Sequence, residues 1–316
     1  MRKIRLVEVR SELAAGTRGA SLGIDAMKVA SLGKRSSFFA RFQPINVKHE
    51  NELLFTDPKY DHAKYGDGVL TVLKRVCETI YELRSQGLFP IVLAGDHSTA
   101  AGTIAGIKKA DPNKRLGVIW IDAHADFHSP YTTPSGNMHG MPLAMAAAID
   151  NEECEQNDVE DETEALWEHI KNIGVGGPKI SPKDVVFIGV RDTEAPEDFI
   201  LRKYGIKNFK TSEVTEKGIP TVAKEALELL KDCDQIYISF DVDSLDVSIS
   251  VGTGTPVPEG LSSQQALELN IELIKDKRVC CWEIVEVNPT LDSQNKMANR
   301  AFEILEATTE SLIKNF

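Results

Sequence analysis

Short apolar runs alternate along this chain with longer segments in which apolar positions recur every three to four residues. The short runs predict strands over Ile4–Val9, Phe89–Ala94, Leu116–Ile121, Val185–Val190, Ile236–Phe240 and Val279–Val287. The amphipathic segments predict helices over Asp67–Gln86, Ser98–Lys109, His139–Ile149, Pro196–Tyr204, Ile219–Leu230, Ser263–Lys275 and Lys296–Lys314. Such alternation implies an α/β fold, a three-layer α/β/α arrangement with a mostly parallel sheet covered on both faces. Residues 1–316 read as a single domain, because no Pro- or Ser-rich linker and no repeat interrupts them. In sheets of this kind ligands bind beyond the carboxyl ends of the strands. Four polar clusters fall there: GDHS after FPIVL, DAHADFHS after LGVIWI, DVDSLD after IYISF, and EVNP after CWEIV.

Composition narrows the class. With 42% hydrophobic and 27% charged residues the chain has globular character, and 316 residues can bury a core without disulfides or structural zinc. The five cysteines are odd in number and none lies in a CxxC pair, which fits a reducing compartment. Three of the first five residues are basic, yet no apolar signal core follows and no run of 18 apolar residues occurs. The expectation is a cytoplasmic protein with no membrane partner. A net charge of −12 disfavours nucleic acid and is compatible with a cationic substrate. The acidic stretch from Asn151 to Glu164 reads as a solvated loop or an exposed helix start.

The clusters carry metal-ligand chemistry. In Asp122-Ala123-His124-Ala125-Asp126, alternate residues at a strand end face one point. Asp241-Val242-Asp243 repeats that logic, and His97 adds an imidazole from a third strand end. Four carboxylates and two imidazoles suit a pair of divalent ions sharing carboxylates, and the lack of thiolates argues against structural zinc. Four aspartates near one point would repel strongly without cations.

GDHS, DAHAD, SFDVDSLD and EVNP resemble the signature segments of the ureohydrolases, a family that includes arginase, agmatinase and formimidoylglutamase. The likeness runs from about Gly16 to the C-terminal helix. It implies two Mn2+ ions per chain. His97, Asp122, Asp126 and Asp241 would hold one ion; His124, Asp122, Asp241 and Asp243 would hold the other, with Asp122 and Asp241 bridging. Guanidinium is a poor electrophile for neutral water, and two metals bring the pKa of a water between them toward about 7.

The substrate side of the resemblance lies nearest arginase. The segment from Thr132 to Pro142 contains SGNxHG, whose hydroxyl and amide groups bind the substrate α-carboxylate in arginases; Thr133, Ser135 and Asn137 do offer donors to an anion without a full positive charge. The resemblance makes His139 the proton shuttle, a role its ordinary pKa near 6.5 suits. It places Glu286 and Thr255 at the guanidinium and counts Asp126 as catalytic as well as a ligand. His128 stands where arginases usually carry Asn, at the substrate carboxylate. Glu194 stands where an Asp usually meets the α-ammonium, and Glu197 matches a nearby acid. Val247 replaces a usual proline.

The expected activity is hydrolysis of L-arginine to L-ornithine and urea. The alternatives are another guanidino or formimino compound and, remotely, a non-catalytic metal-binding protein. A two-metal phosphohydrolase would need basic residues for phosphate, and apart from Arg191 the clusters hold none. A trimeric or hexameric homo-oligomer is implied by the resemblance only.

Overall fold

The computed structural model describes residues 3–315; Met1 and Arg2 of the basic N-terminus, and Phe316, lie outside it. In chain order the elements are β1 (Ile4–Val9), α1 (Gly23–Gly33), α2 (Phe38–Arg41), β2 (Pro44–Val47), α3 (Gly66–Ser85), β3 (Phe89–Ala94), α4 (Thr99–Ala110), β4 (Leu116–Ile121) and α5 (Pro142–Ala147). They continue with α6 (Asp161–Lys171), β5 (Val185–Ile188), α7 (Ala195–Tyr204), β6 (Lys207–Phe209), α8 (Thr211–Lys217) and α9 (Ile219–Leu229). The last four are β7 (Gln235–Asp241), α10 (Ser263–Leu273), β8 (Val279–Val285) and α11 (Lys296–Asn315).

The strands form one eight-stranded sheet in the order β2-β1-β3-β8-β7-β4-β5-β6, and every strand pairing is parallel. Residues of β3 and β4 are buried without exception, as expected of strands covered on both faces. Alternate residues feed two separate cores. Val92, Val118, Trp120, Tyr237 and Val285 pack under α3 to α7. Ile91, Leu93, Ile119, Ile238, Phe240 and Trp282 pack under α1, α9, α10 and α11. This is the expected three-layer α/β/α fold. Among the described residues no helix is long and apolar enough to cross a membrane.

Several elements differ from the sequence expectation. The edge strands β2 and β6 escaped it because four and three residues, only partly buried, leave no apolar run. The helices α1, α2, α6 and α8 were also missed. The acidic stretch does contain a helix start, with Asp161, Glu162 and Glu164 in the first turn of α6, where carboxylates favour the helix dipole. The helix expected over His139–Ile149 is instead a 3-10 turn, Met138–Gly140, followed by α5. Pro142 can only begin a helix, and Ala148 ends it in the left-handed conformation. Two strands stop earlier than expected. β5 ends before Gly189 at φ 92°, and β8 ends before Glu286 at φ 65°.

β3 and β4 are successive strands separated in the sheet by β8 and β7. The chain leaves these four central strands at one edge, and that is where the polar clusters gather.

Candidate active site

The turn after β3 brings His97 into place. Gly95 accepts the Glu286 backbone N–H and donates to Val9, and Asp96 N–H donates to the Ser11 carbonyl. A Cβ on Gly95 would lie 2.0 Å from the Ser11 carbonyl oxygen, so only glycine permits this approach. Asp96 is fully buried and accepts from the backbone of Ala14 at 3.2 Å and of Ser98 at 3.0 Å. Ala14 in turn accepts the His139 N–H. The His97 ring stacks on Trp120 at 4.0 Å, and its Nε2 meets Ser239 Oγ at 2.7 Å. With an ion bound, a hydrogen on Nε2 would leave the Nδ1 lone pair free to ligate it.

Around that nitrogen stand Asp122 Oδ2 at 3.0 Å, Asp241 Oδ2 at 3.1 Å and Asp126 Oδ2 at 3.2 Å. A second group adjoins it: His124 Nδ1 lies 3.0 Å from Asp243 Oδ2 and 3.5 Å from Asp122 Oδ1. His97, Asp122 and Asp241 form one set of convergent donors and Asp122, His124 and Asp243 another, so Asp122 is common to both. Backbone donors hold the other oxygens: His124 N–H on Asp122, Ala123 N–H on Asp243, Asp243 N–H on Asp241.

The geometry of DAHAD is not the strand alternation expected from its spacing. β4 ends at Ile121, the following residues bend, and Asp126 takes φ 53°. Its carbonyl is fixed by the Leu143 N–H. Left-handed backbone at a non-glycine residue costs of order 1–3 kcal/mol and persists where the surroundings over-determine it. Asp126 and Glu286 both show this at the site.

The electrostatics suit bound cations. Burial pushes the Asp126 carboxyl up to about 6 and those of Asp241 and Asp243 upward as well. Burial also opposes charge on His97 and His124, but the surrounding carboxylates win and hold both imidazoles well above their ordinary value. Arg191 donates to the carbonyls of Gly189, Asp243, Val257 and Pro258 rather than to the carboxylates. His97 Nδ1 and Asp122 Oδ2 are buried, face each other and have no hydrogen-bond partner among the described residues. Buried polar atoms left this way need an explanation, and donors converging on an ion supply one. The residues fit a pair of divalent cations with nitrogen and oxygen ligands.

These groups open into a cleft of about 150 Å³. Its walls include His128, Thr133, Ser135, Asn137, His139, Glu194, Glu197 and Thr255, so nearly all the residues expected on the substrate side do share one space with the metal-facing groups. Glu286 stands apart from the lining. It is buried behind His139, its Oε1 accepting the His97 N–H at 2.9 Å and lying 3.2 Å from His139 Nδ1. Burial disfavours charge on His139, yet this carboxylate outweighs it and raises the imidazole above its ordinary value. Thr255 Oγ1 donates to Asp243 Oδ2 at 3.2 Å.

At the far end His128 Nε2 lies 3.5 Å from both Glu194 Oε2 and Glu197 Oε2. Glu197 is buried and anchored by the N–H groups of Phe127 and Glu194, and burial pushes its carboxyl up to about 7. The Glu194 side chain remains half exposed at 49%. The loop holding Ser135 and Asn137 is fixed at Gly136, whose φ of 74° and close approach to the Asp61 carbonyl exclude a side chain.

Sequence reasoning passed over Asp96, Asp192, Thr193 and Ser239. Asp192 lines the cleft 3.8 Å from His124 Nε2. Asp96 and Ser239 lay inside segments already singled out, GDHS and SFDVDSLD, while Asp192 carried no signal beyond standing two positions before Glu194.

Residues 2–309 match the model of the arginase family. Arginase of Brevibacillus brevis is 33% identical over 312 residues, covering 97% of each chain. Human arginase-1 is 34% identical over 273 residues, covering 84% of this chain and 80% of its own. Among solved structures, Entamoeba histolytica arginase in complex with L-ornithine matches with a TM-score of 0.83 at 28% identity, over 99% of both chains. With a family match across almost its whole length and a cluster of buried His and Asp donors in place, the chain belongs to the arginase family of metal-dependent hydrolases.

Proposed function

We propose that this protein hydrolyses L-arginine to L-ornithine and urea with two Mn2+ ions per chain. The carrying observation is a single cleft with two paired donor sets sharing Asp122 at one end, and the polar loop of Ser135 and Asn137 with Glu194 and Glu197 at the other. A guanidinium and an amino-acid head group need those two ends.

Ions held by His97, Asp122, Asp126, Asp241, His124 and Asp243 would lower the pKa of water and make it nucleophilic at neutral pH. The chain's own residues do the rest. Thr133, Ser135 and Asn137 donate to the α-carboxylate, and Glu194, backed by Glu197, accepts from the α-ammonium. Thr255 flanks the guanidinium, and Glu286 adds negative charge on the His139 side. The Asp126 carboxylate accepts a proton from the attacking water. Water adds to the guanidinium carbon, one C–N bond breaks, and protonated His139 delivers its proton to the departing amine. Glu286 keeps His139 charged for that step and fixes its ring.

His128 favours a second reading. Its buried ring competes with a substrate ammonium for Glu194 and Glu197, which would suit a guanidino acid lacking the α-amino group. Urea release from arginine, agmatine and guanidinobutyrate, each with and without Mn2+, separates the cases. Arginine is expected to lead, and Asp241→Asn to abolish turnover with the fold intact. Preference for agmatine would overturn the arginine assignment, and near-normal turnover in Asp241→Asn would overturn the metal model. We further propose that the chain forms one domain, acts in the cytoplasm and assembles as a homo-oligomer, the last on family resemblance alone.

A further inference from the structure

The segment between α5 and α6 is the acidic stretch of the sequence, and the hydrolytic scheme does not use it. Glu152, Glu153, Glu155, Asp158 and Glu160 are exposed there, whereas Asn151 is buried and Asn157 half-buried. The charges face water, and the two neutral amides face the protein. Both amides reach the head-group end of the cleft.

Asn157 grips the loop that leads to Ser135 and Asn137. Its Nδ2 donates to the Thr133 carbonyl at 2.7 Å and to the Pro130 carbonyl at 2.9 Å. The Tyr131 carbonyl between them accepts the N–H groups of Gln156 at 2.8 Å and Asn157 at 3.1 Å. Two neighbouring residues thus hold three carbonyls of one short loop. Further along, the loop is ordered from within. Thr133 Oγ1 accepts the Gly136 N–H at 3.0 Å, and Ser135 Oγ accepts the Asn137 N–H at 3.2 Å. A hydroxyl that accepts from the backbone keeps its own hydrogen to donate, and both of these side chains line the cleft.

Asn151 grips the opposite wall. Its Nδ2 donates at 2.9 Å to the carbonyl of Pro196, which stands between Glu194 and Glu197 at the start of α7. Lys203, in the last turn of that helix, pairs with Glu153 at 2.6 Å. Residues 151–157 therefore run from one wall of the cleft to the other.

We propose that this segment braces the head-group end of the cleft, Asn157 positioning the carboxylate-binding loop and Asn151 the acidic start of α7. The brace sets the separation between the groups that meet the substrate carboxylate and those that meet its ammonium. Neither asparagine lines the cleft, so each acts through the residues it holds. The inference rests on the reading of Thr133, Ser135, Asn137, Glu194 and Glu197 as the head-group site.

Kinetics with three compounds test it: L-arginine, agmatine, which lacks the carboxylate, and δ-guanidinovalerate, which lacks the α-ammonium. The last two are scored as substrates or as competitive inhibitors. Asn157→Ala and Asn157→Asp both lose the donor. Each is expected to raise KM for arginine roughly 3- to 10-fold, the range for one lost neutral hydrogen bond, with kcat unchanged. The same rise is expected for δ-guanidinovalerate and none for agmatine. Asn151→Ala is expected to weaken arginine and agmatine and to spare δ-guanidinovalerate. Glu155→Gln, exposed midway along the segment, removes a charge without touching either wall and leaves every constant as it was. Wild-type constants in either folded asparagine variant overturn the inference, as do equal changes across the three compounds or a loss confined to kcat. If the buried Asn151→Ala does not fold, the Asn157 variants decide alone. If Asn137→Ala itself fails to separate arginine from agmatine, the head-group reading falls, an outcome distinct from the others.

Discussion

His139 sits where two opposing effects can be weighed. Burial disfavours its charge and Glu286, 3.2 Å away, favours it more. Removing the ring in His139→Ala is expected to lower kcat by about 10²-fold or more with bound metal unchanged by elemental analysis; an unaltered kcat takes His139 out of the mechanism. Asn137 tests recognition of the head group. Asn137→Ala is expected to reduce kcat/KM for arginine by roughly 1–3 kcal/mol, the cost of a polar partner left unpaired, and to leave agmatine turnover nearly as it was. Equal losses on both substrates would show that Asn137 does not bind a carboxylate. His128→Asn frees Glu194 and Glu197 and is expected to preserve or improve arginine hydrolysis. At this scale the sequence was most informative for residue types: the donors of both metal sets were legible from DxHxD, DxD and GDHS. It was silent on Glu286 turning toward His139, because the left-handed backbone that aims it depends on the Gly95 carbonyl accepting its N–H.

Elements with complete local signals were the easiest to foresee. Helix α10 begins with Ser262 and Gln265 in a reciprocal capping box, Ser262 Oγ accepting the Gln265 N–H at 3.1 Å and Gln265 Oε1 the Ser262 N–H at 2.9 Å. Ser262→Ala is expected to cost about 1 kcal/mol, measured by denaturant unfolding, without altering turnover; no loss of stability would mean the cap is replaced by solvent. The segment after β4 is the contrary case. Its spacing suggested pleated alternation, whereas the chain bends there, because Asp122 N–H bonds Ile188 and Asp126 carbonyl bonds Leu143. Both partners are distant in sequence. The short strands β2 and β6 likewise owe their existence to β1 and β5, their neighbours in the sheet.

For the molecule as a whole, cations and pH act on stability through the same buried charges. Ions that bind the folded chain and not the unfolded one stabilise it, by about 2.7 kcal/mol at a hundredfold excess over Kd. Chelation is therefore expected to lower Tm and Mn2+ to restore it; a Tm indifferent to both would contradict the assigned ligands. Glu197 contributes in another way. Its carboxyl is raised from 4.5 to about 7 in the folded chain, so between those values the folded state holds a proton that the unfolded state releases. Its contribution is fully present below about 4.5 and is lost as pH rises toward 7. Glu197→Gln stays neutral throughout, so the Tm of the variant relative to wild type is expected to climb from about pH 5 to pH 8. A difference that stays flat or falls would show that Glu197 is charged throughout.

The sequence alone determined the layers and the chemistry. Continuous apolar strands require helices on both faces, and that periodicity is local, written in runs such as LGVIWI and FPIVL. The same strands end in carboxylates and imidazoles, so the donor set and the edge at which it gathers follow from order along the chain. What only the tertiary structure decided is which of these groups meet. The strand order places β8 and β7 between β3 and β4, and this brings His97 onto Trp120, Ser239 behind it, and Asp122 between two donor sets. No local preference encodes such contacts, since they join residues on different strand ends, from 23 positions apart for His97 and Trp120 to 142 for His97 and Ser239. They form because burying both faces of the sheet leaves the polar strand ends one place to converge.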